Sequence, residues 1–162
     1  MIKEIDGDLL SWPEGVNVIA HQANCFHTFG AGIARVIATK YPEAYEADAK
    51  SEHGSADKLG SFTVATVENG TKRIVNIYGQ FSTSRSTRQT RYDALYDGLD
   101  RLARMIRTSK SPEQYVIGVP YGIGCGLGGG SWMVVRAMLE KIFGKSSITL
   151  VIVKLPGAQV EE

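Results

Sequence analysis

The chain has 162 residues, 43% hydrophobic and 22% charged, the size and make-up of one soluble globular domain spanning 1–162. Eighteen Lys and Arg against seventeen Asp and Glu leave a formal charge of +1, so no global field draws the chain onto nucleic acid or an anionic membrane, and no general nucleic-acid binding is expected. The apolar runs are too short for a bilayer, and Met1-Ile2-Lys3-Glu4 opens no hydrophobic leader, which makes a cytoplasmic protein the expectation; Cys25 and Cys125 are too few for a disulfide scaffold and read as reduced thiols.

Ile2-Lys3-Glu4-Ile5 predicts a short strand, and Val16 to Ala20 a buried, β-branched one. Ile33, Val36, Ile37 and Tyr41 share a helical face over 33–41, and a second helix runs from Pro42 to about His53, stopped by Gly54. Phe62 to Val67 and Arg73 to Tyr78 flank Glu68-Asn69-Gly70-Thr71-Lys72, an Asn-Gly hairpin signal between antiparallel strands. Tyr92 to Arg107 places Leu95, Leu99, Leu102 and Ile106 on one helical face, with its charges on a solvated one. Tyr115 to Val119 is a buried strand, Ser131 to Phe143 a helix opened by a serine and closed by Gly144, and Ile148 to Val153 a final buried strand. The order β-β-α-α-β-β-α-β-α-β implies an α/β domain with a mixed, mostly parallel sheet covered on both faces. Ligands of such sheets sit beyond the carboxyl ends of the strands, where this chain carries its unusual segments.

Gly30-Ala31-Gly32 opens one helix, and a run from Gly122 to Gly130 with six glycines in nine residues precedes another. Residues without a β-carbon let backbone N–H groups approach an anion, and a helix N-terminus adds about half a positive charge. The first loop could equally be a tight turn. In the second, the entropic cost of so many glycines argues for close ligand approach. Gly124-x-Gly126-x-x-Gly129 satisfies the dinucleotide pattern only formally, since one strand remains and it ends in Lys154. Gly144-Lys145-Ser146 lacks the leading glycine of a P-loop and reads as a helix stop. His21, Cys25 and His27 lack the partners of a zinc set, so no metal is expected.

His21 is either a buried, hydrogen-bonded strand-end residue or a proton carrier at the mouth of the two loops. Cys125, among backbone amides, is a small filler before it is a nucleophile. Arg85, Arg88 and Arg91 form a local basic loop, solvated by default, with a terminal phosphate or a macromolecular substrate as the alternative.

These segments resemble the macrodomain family of ADP-ribose binders. Gly7-Asp8-Leu9 is similar to the family's adenine-binding motif, Asn24 with Gly30-Ala31-Gly32-Ile33-Ala34 to its first glycine loop, and Val119-Pro120-Tyr121-Gly122-Ile123-Gly124-Cys125-Gly126-Leu127-Gly128-Gly129 to its second. The likeness covers about Ile5 to Leu155 and implies a three-layer α/β/α fold. By that resemblance, ligand contacts fall to Asp8, Leu9, Ala23, Asn24, Gly30, Ala31, Gly32, Ile33, Ala34, Gln80, Gly122, Ile123, Gly124, Cys125, Gly126, Leu127, Gly128 and Leu155, with His21 and Asn24 as the catalytic candidates and no cofactor.

The branch most resembled includes yeast-type and phage ADP-ribose 1''-phosphate phosphatases, together with enzymes removing ADP-ribose from glutamate or from DNA bases. The latter use a lysine after the fourth strand and, in the glutamate-directed case, an aspartate in the second loop. Here those positions hold Gln80 and Gly128, and neither can serve that chemistry. The resemblance therefore favours a phosphatase acting on ADP-ribose 1''-phosphate. The alternatives are a hydrolase removing ADP-ribose from protein or nucleic acid, and a non-catalytic reader. It further implies ADP-ribose or a derivative as partner, a monomer, and a compact chain suited to a phage genome acting in host cytoplasm.

Overall fold

Strand residues of this chain alternate between two apolar faces, and the computed structural model, which describes residues 1–84 and 86–158, is built on that alternation. Six strands, β1 (Ile2–Asp6), β2 (Val18–Ala23), β3 (Phe62–Val67), β4 (Lys72–Tyr78), β5 (Val116–Pro120) and β6 (Thr149–Lys154), form one sheet in the order β1-β6-β5-β2-β4-β3. All neighbours are parallel except β3 and β4, the predicted hairpin. Its turn holds Glu68, Asn69 and Gly70 at positive φ. The mixed, mostly parallel sheet and the order of elements are as expected.

Helices α1 (Gly32–Lys40) and α2 (Pro42–Ala49) cover one face, where Ile37 and Ala44 pack with Ile19, Ile74, Val151 and Val153. Helices α3 (Tyr92–Arg107) and α4 (Trp132–Phe143) cover the other, where Leu95, Leu99, Val135 and Leu139 pack with Val18, Ala20, Val75, Leu150 and Ile152. Successive strand residues thus feed opposite cores, as a period of two requires. This is the three-layer arrangement the resemblance implied.

Two elements differ from expectation by more than one residue. The second strand begins at Val18 and runs through His21-Gln22-Ala23, because β4 supplies partners for all of it, from Val18↔Arg73 to Ala23↔Tyr78. Polar residues do not end a strand whose backbone a neighbour continues to pair, here β4 alone beyond Ile19. Helix α2 stops at Ala49, short of His53, where Ser51 turns back with both its amide and its hydroxyl on the Asp48 carbonyl.

From β2 the chain leads by α1, α2 and β3 to β4 on one side; from β5 it leads by α4 to β6 on the other. The sheet therefore has its topological switch between β5 and β2, and the crevice outside their carboxyl ends is where such folds bind ligands.

Gly98, within α3, meets β4 so closely that a methyl group there would lie 2.4 Å from Ile77 Cγ2. Alanine improves helix propensity by about 1 kcal/mol, but overpacking against a stiff β-branched side chain costs about 1–3 kcal/mol. Gly98→Ala is accordingly expected to lower stability by up to about 2 kcal/mol, read as a lower midpoint in urea unfolding.

Candidate functional site

The segment after β5 is tied down from beneath. Thr90 Oγ1 donates to the Gly124 carbonyl at 2.6 Å and the Gly130 amide to the same oxygen at 2.9 Å, while the amides of Gln89 and Thr90 both reach the Gly128 carbonyl, at 2.9 and 3.0 Å. Gln22 Nε2 donates to Thr90 Oγ1 and to Gln80 Oε1, each at 2.8 Å, and Gln80 Nε2 donates to Ser82 O. With its carbonyls anchored, the loop leaves the amides of Gly124, Gly126, Leu127 and Gly128 without an acceptor among the described residues. Gly122 and Gly124 lie at φ of 76° and 75°, which glycine alone adopts readily. A side chain at Gly128 would strike Thr90 Oγ1 at 2.4 Å, whereas one at Gly126 would enter open space.

The segment after β2 is held in a different way. Asn24 is buried; its Oδ1 accepts from the Phe26 amide at 2.9 Å and its Nδ2 donates to Thr28 O at 2.9 Å, so the side chain folds its own loop. The Cys25 amide donates to Phe81 O, and Phe26 packs edge-on against Phe81. His27 Nδ1 lies 2.8 Å from Asp48 Oδ2. Asp48 is fully buried, accepts from Tyr78 Oη at 2.6 Å, and has Lys58 Nζ at 3.9 Å, itself donating to Ser51 Oγ. After this rigid stretch, Gly30, Ala31 and Gly32 are exposed, and α1 starts from an extended Ala31 with no side-chain cap. The first-turn amides of α1 therefore lack a side-chain partner. The two loops lie side by side at Gly32 and Leu127, where a β-carbon added to Gly32 would sit 3.9 Å from Leu127 Cδ1.

Asp8 stands at the end of β1, three strand spacings from β2, about 14 Å away. One carboxylate oxygen accepts from the Leu10 amide. Leu155, just past β6, is exposed at the same end. The predicted contact residues thus fall into an acidic end and a glycine end of one crevice. Several are interior: the side chains of Leu9, Ala23 and Ile123 belong to the core, Ile33 and Ala34 pack partly against it, and Gly122 is buried. Leu9, Ala23, Ile123 and Gly122 can offer a ligand only their backbone, whereas Ile33 and Ala34 keep part of their side chains exposed.

The structure corrects the expectation for His21. Its exposure is 0%, its Nε2 is 2.7 Å from Asn76 Oδ1, and Phe29 packs edge-on against it. Asn76 Nδ2 donates to Ala44 O and Thr63 Oγ1, which leaves its Oδ1 to accept and assigns the imidazole proton to Nε2. Burial lowers the His21 pKa from 6.5 to about 4. A sealed, neutral ring cannot exchange protons with a ligand in the crevice. Cys125 is likewise inert: its thiol lies 3.4 Å from Ile123 O, and burial pushes its pKa up to about 11. Gln22 and Thr90, which hold the second loop, carry no motif of their own; only β2 facing the 89–90 segment across the sheet end reveals them. Arg85 lies outside the described residues, while Arg91 pairs with Asp93 on the surface at 3.3 Å.

No protein-family model matches the chain. A 17.5 kDa protein from the tk-vs intergenic region of Enterobacteria phage T4 is 32% identical over 156 residues, covering 93% of this chain and 96% of that one. The ADP-ribose 1''-phosphate phosphatase of Aspergillus oryzae is 50% identical over 44 residues, covering 27% of this chain and 21% of the fungal protein. Among solved structures, a Bacteroides thetaiotaomicron protein of unknown function superposes with a TM-score of 0.79 at 25% identity, covering 96% of this chain and 98% of that one. The macrodomain of Mycobacterium tuberculosis DarG gives 0.71 at 24%, over 97% and 99%. Thermosipho africanus DarTG in complex with ADP-ribose gives 0.67 at 17%, over 92% of this chain and 40% of that one.

The depressed His21 pKa has a consequence for stability. Between about pH 6.5 and 4 the unfolded chain binds this proton and the folded chain does not, so the contribution of His21 is complete above the unfolded pKa and is lost as pH falls toward 4. Urea unfolding is expected to show a loss of about 2–3 kcal/mol from this group between pH 7 and 4.5. In His21→Leu, whose absolute stability is lower because Asn76 loses its donor, that part of the pH dependence should vanish.

Proposed function

The chain belongs to the macrodomain family, and from that we propose that it binds ADP-ribose and hydrolyses ADP-ribose 1''-phosphate to ADP-ribose and inorganic phosphate. The observation that carries the binding is the meeting of two glycine loops at the β5/β2 switch, each with amides that find no acceptor among the described residues. A diphosphate there accepts from both loops, and charge-assisted bonds contribute about 1.5–3 kcal/mol each. Asp8, at the far end of the crevice, takes the adenine amino group on its free carboxylate oxygen, which gives the ligand its direction. Asn24 acts by shaping the first loop. The complex of a structural neighbour with ADP-ribose supports this reading.

The phosphatase reading rests on the floor of the second loop. Gln80 and Thr90 are engaged there, and any side chain at Gly128 collides with Thr90 and the Gly124 carbonyl. A lysine-type hydrolase needs its reactive groups at positions 80 and 128. One is an amide that forms no Schiff base, and the other is sterically closed. The names of the partial fungal relatives point the same way.

With His21 sealed and Cys125 protonated, the reaction proceeds by attack of water on phosphorus, one phosphate oxygen taking the water's proton. The bond from phosphorus to the 1''-oxygen breaks, and the same proton passes from the phosphate oxygen to the 1''-oxygen as ADP-ribose leaves. The protein's part is to position the sugar and screen the phosphates with amides. The same lack of a titrating side chain favours a non-catalytic reader as the second reading.

Gly126→Glu places a charged side chain in open space, so the variant should stay folded by circular dichroism and show no heat of binding with ADP-ribose, against a single site in the native protein. Gly32→Glu is the poorer probe, since φ of 59° at that position strains any side chain. Incubated with ADP-ribose 1''-phosphate, the native protein should release phosphate and ADP-ribose in equal amounts, and Gly126→Glu neither. Binding without release would establish the reader.

A further inference from the structure

A cleft of about 340 Å³ lies beside the second glycine loop, with Ser86, Thr87 and Arg88 on one wall and Gly126, Leu127 and Gly129 on the other. The walls approach closely only because position 129 is glycine: a β-carbon there would lie 3.3 Å from Arg88 Cα. The Arg88 guanidinium rests over the Tyr92 ring, 4.4 Å from its centroid, and the Tyr92 hydroxyl accepts from the Ser131 amide at 2.9 Å. The cation is therefore held on a fixed platform. Among the described residues Arg88 has no carboxylate within 4.0 Å, so its charge is not neutralised by an ion pair. Thr87 Oγ1 accepts from Gln89 Nε2 at 3.1 Å, which leaves its own proton to donate. The amides of Gly126 and Leu127, on the facing wall, are without acceptors among the described residues. A planar cation, a hydroxyl and two amides, with no carboxylate lining the space, are a donor set for a phosphate.

We propose that this cleft is an anion subsite for a phosphomonoester carried on the terminal ribose of the ligand, and that Arg88 sets the preference for phosphorylated over unphosphorylated ligand. The assignment rests on the ADP-ribose reading above. Leu127 lines the cleft and also faces the first loop, 3.9 Å from where a β-carbon at Gly32 would stand, so the subsite adjoins the meeting point of the two loops. Placed there, Arg88 acts on ligand selection with the Gly126 and Leu127 amides, and the amides of Gly124, Gly128 and the first turn of α1 are left to the diphosphate.

The test compares calorimetric affinities of the native protein and Arg88→Ala for ADP-ribose and for the methylene-phosphonate analogue of ADP-ribose 1''-phosphate, which cannot be cleaved. A third ligand, ADP-ribose linked to a short DNA oligonucleotide, represents a phosphodiester. Arg88 is exposed, so its thermal unfolding midpoint should match the native one. The native protein should prefer the phosphonate to ADP-ribose, and Arg88→Ala should reduce the ratio of the two affinities about tenfold or more. Arg88→Lys, which keeps the charge without the planar fork, should retain part of that preference. No preference in the native protein, an equal loss for both ligands, or a loss confined to the oligonucleotide conjugate overturns the subsite. Absence of ADP-ribose binding to the native protein overturns the underlying reading instead, so the two failures are distinct.

Discussion

Two helices begin without side-chain caps beyond neighbouring parallel strands, and the site follows from that constraint. The first-turn amides of α1 and the loop amides before α4 carry partial positive charge that the chain itself does not neutralise. Because β5 lies beside β2 in the sheet, segments about a hundred residues apart present those amides to one crevice. On the proposed reading, an anion bridging both supplies the acceptor that these amides lack among the described residues.

The second loop stays open to an anion because its carbonyls are committed elsewhere. Thr90, the Gly130 amide and the 89–90 backbone occupy the oxygens of Gly124 and Gly128, and Gln22 braces Thr90 from β2. This bracing occupies the space in which a reactive side chain at position 128 would have to stand. Rigidity of the cradle and absence of a protein nucleophile are thus two results of one packing arrangement. On the proposed reading, binding gains from donors that need no reorganisation, and the chemistry is left to the phosphate of the ligand.

The first loop is stabilised from below by charge. Asp48 at 0% exposure and Lys58 at 7% are costly to bury, and the cost is offset by the hydroxyls of Tyr78 and Ser51 and by His27. A surface pair such as Arg91 with Asp93 contributes little by comparison. The buried group ties α2 to the loop that leads to Gly30, so the exposed Gly-Ala-Gly turn starts from a fixed base. Asn24 adds a local turn to the same end.

The order of elements, the hairpin at Asn69-Gly70, the amphipathic α3 and both glycine loops were legible in the sequence, because each rests on short-range periodicity or on a backbone geometry that glycine alone adopts readily. The family resemblance was legible for the same reason, being carried by contiguous motifs. The role of His21 was not: its neighbours in the chain place it at a strand end near the crevice, and only the packing of Phe29 and Asn76 around it makes it a neutral core residue. Gln22, Thr90 and Asp48 likewise gained their meaning from partners tens of residues away. Local sequence determines what the backbone can do, but the protonation, burial and reach of a side chain depend on which distant groups surround it, and that is decided only when the sheet brings them together.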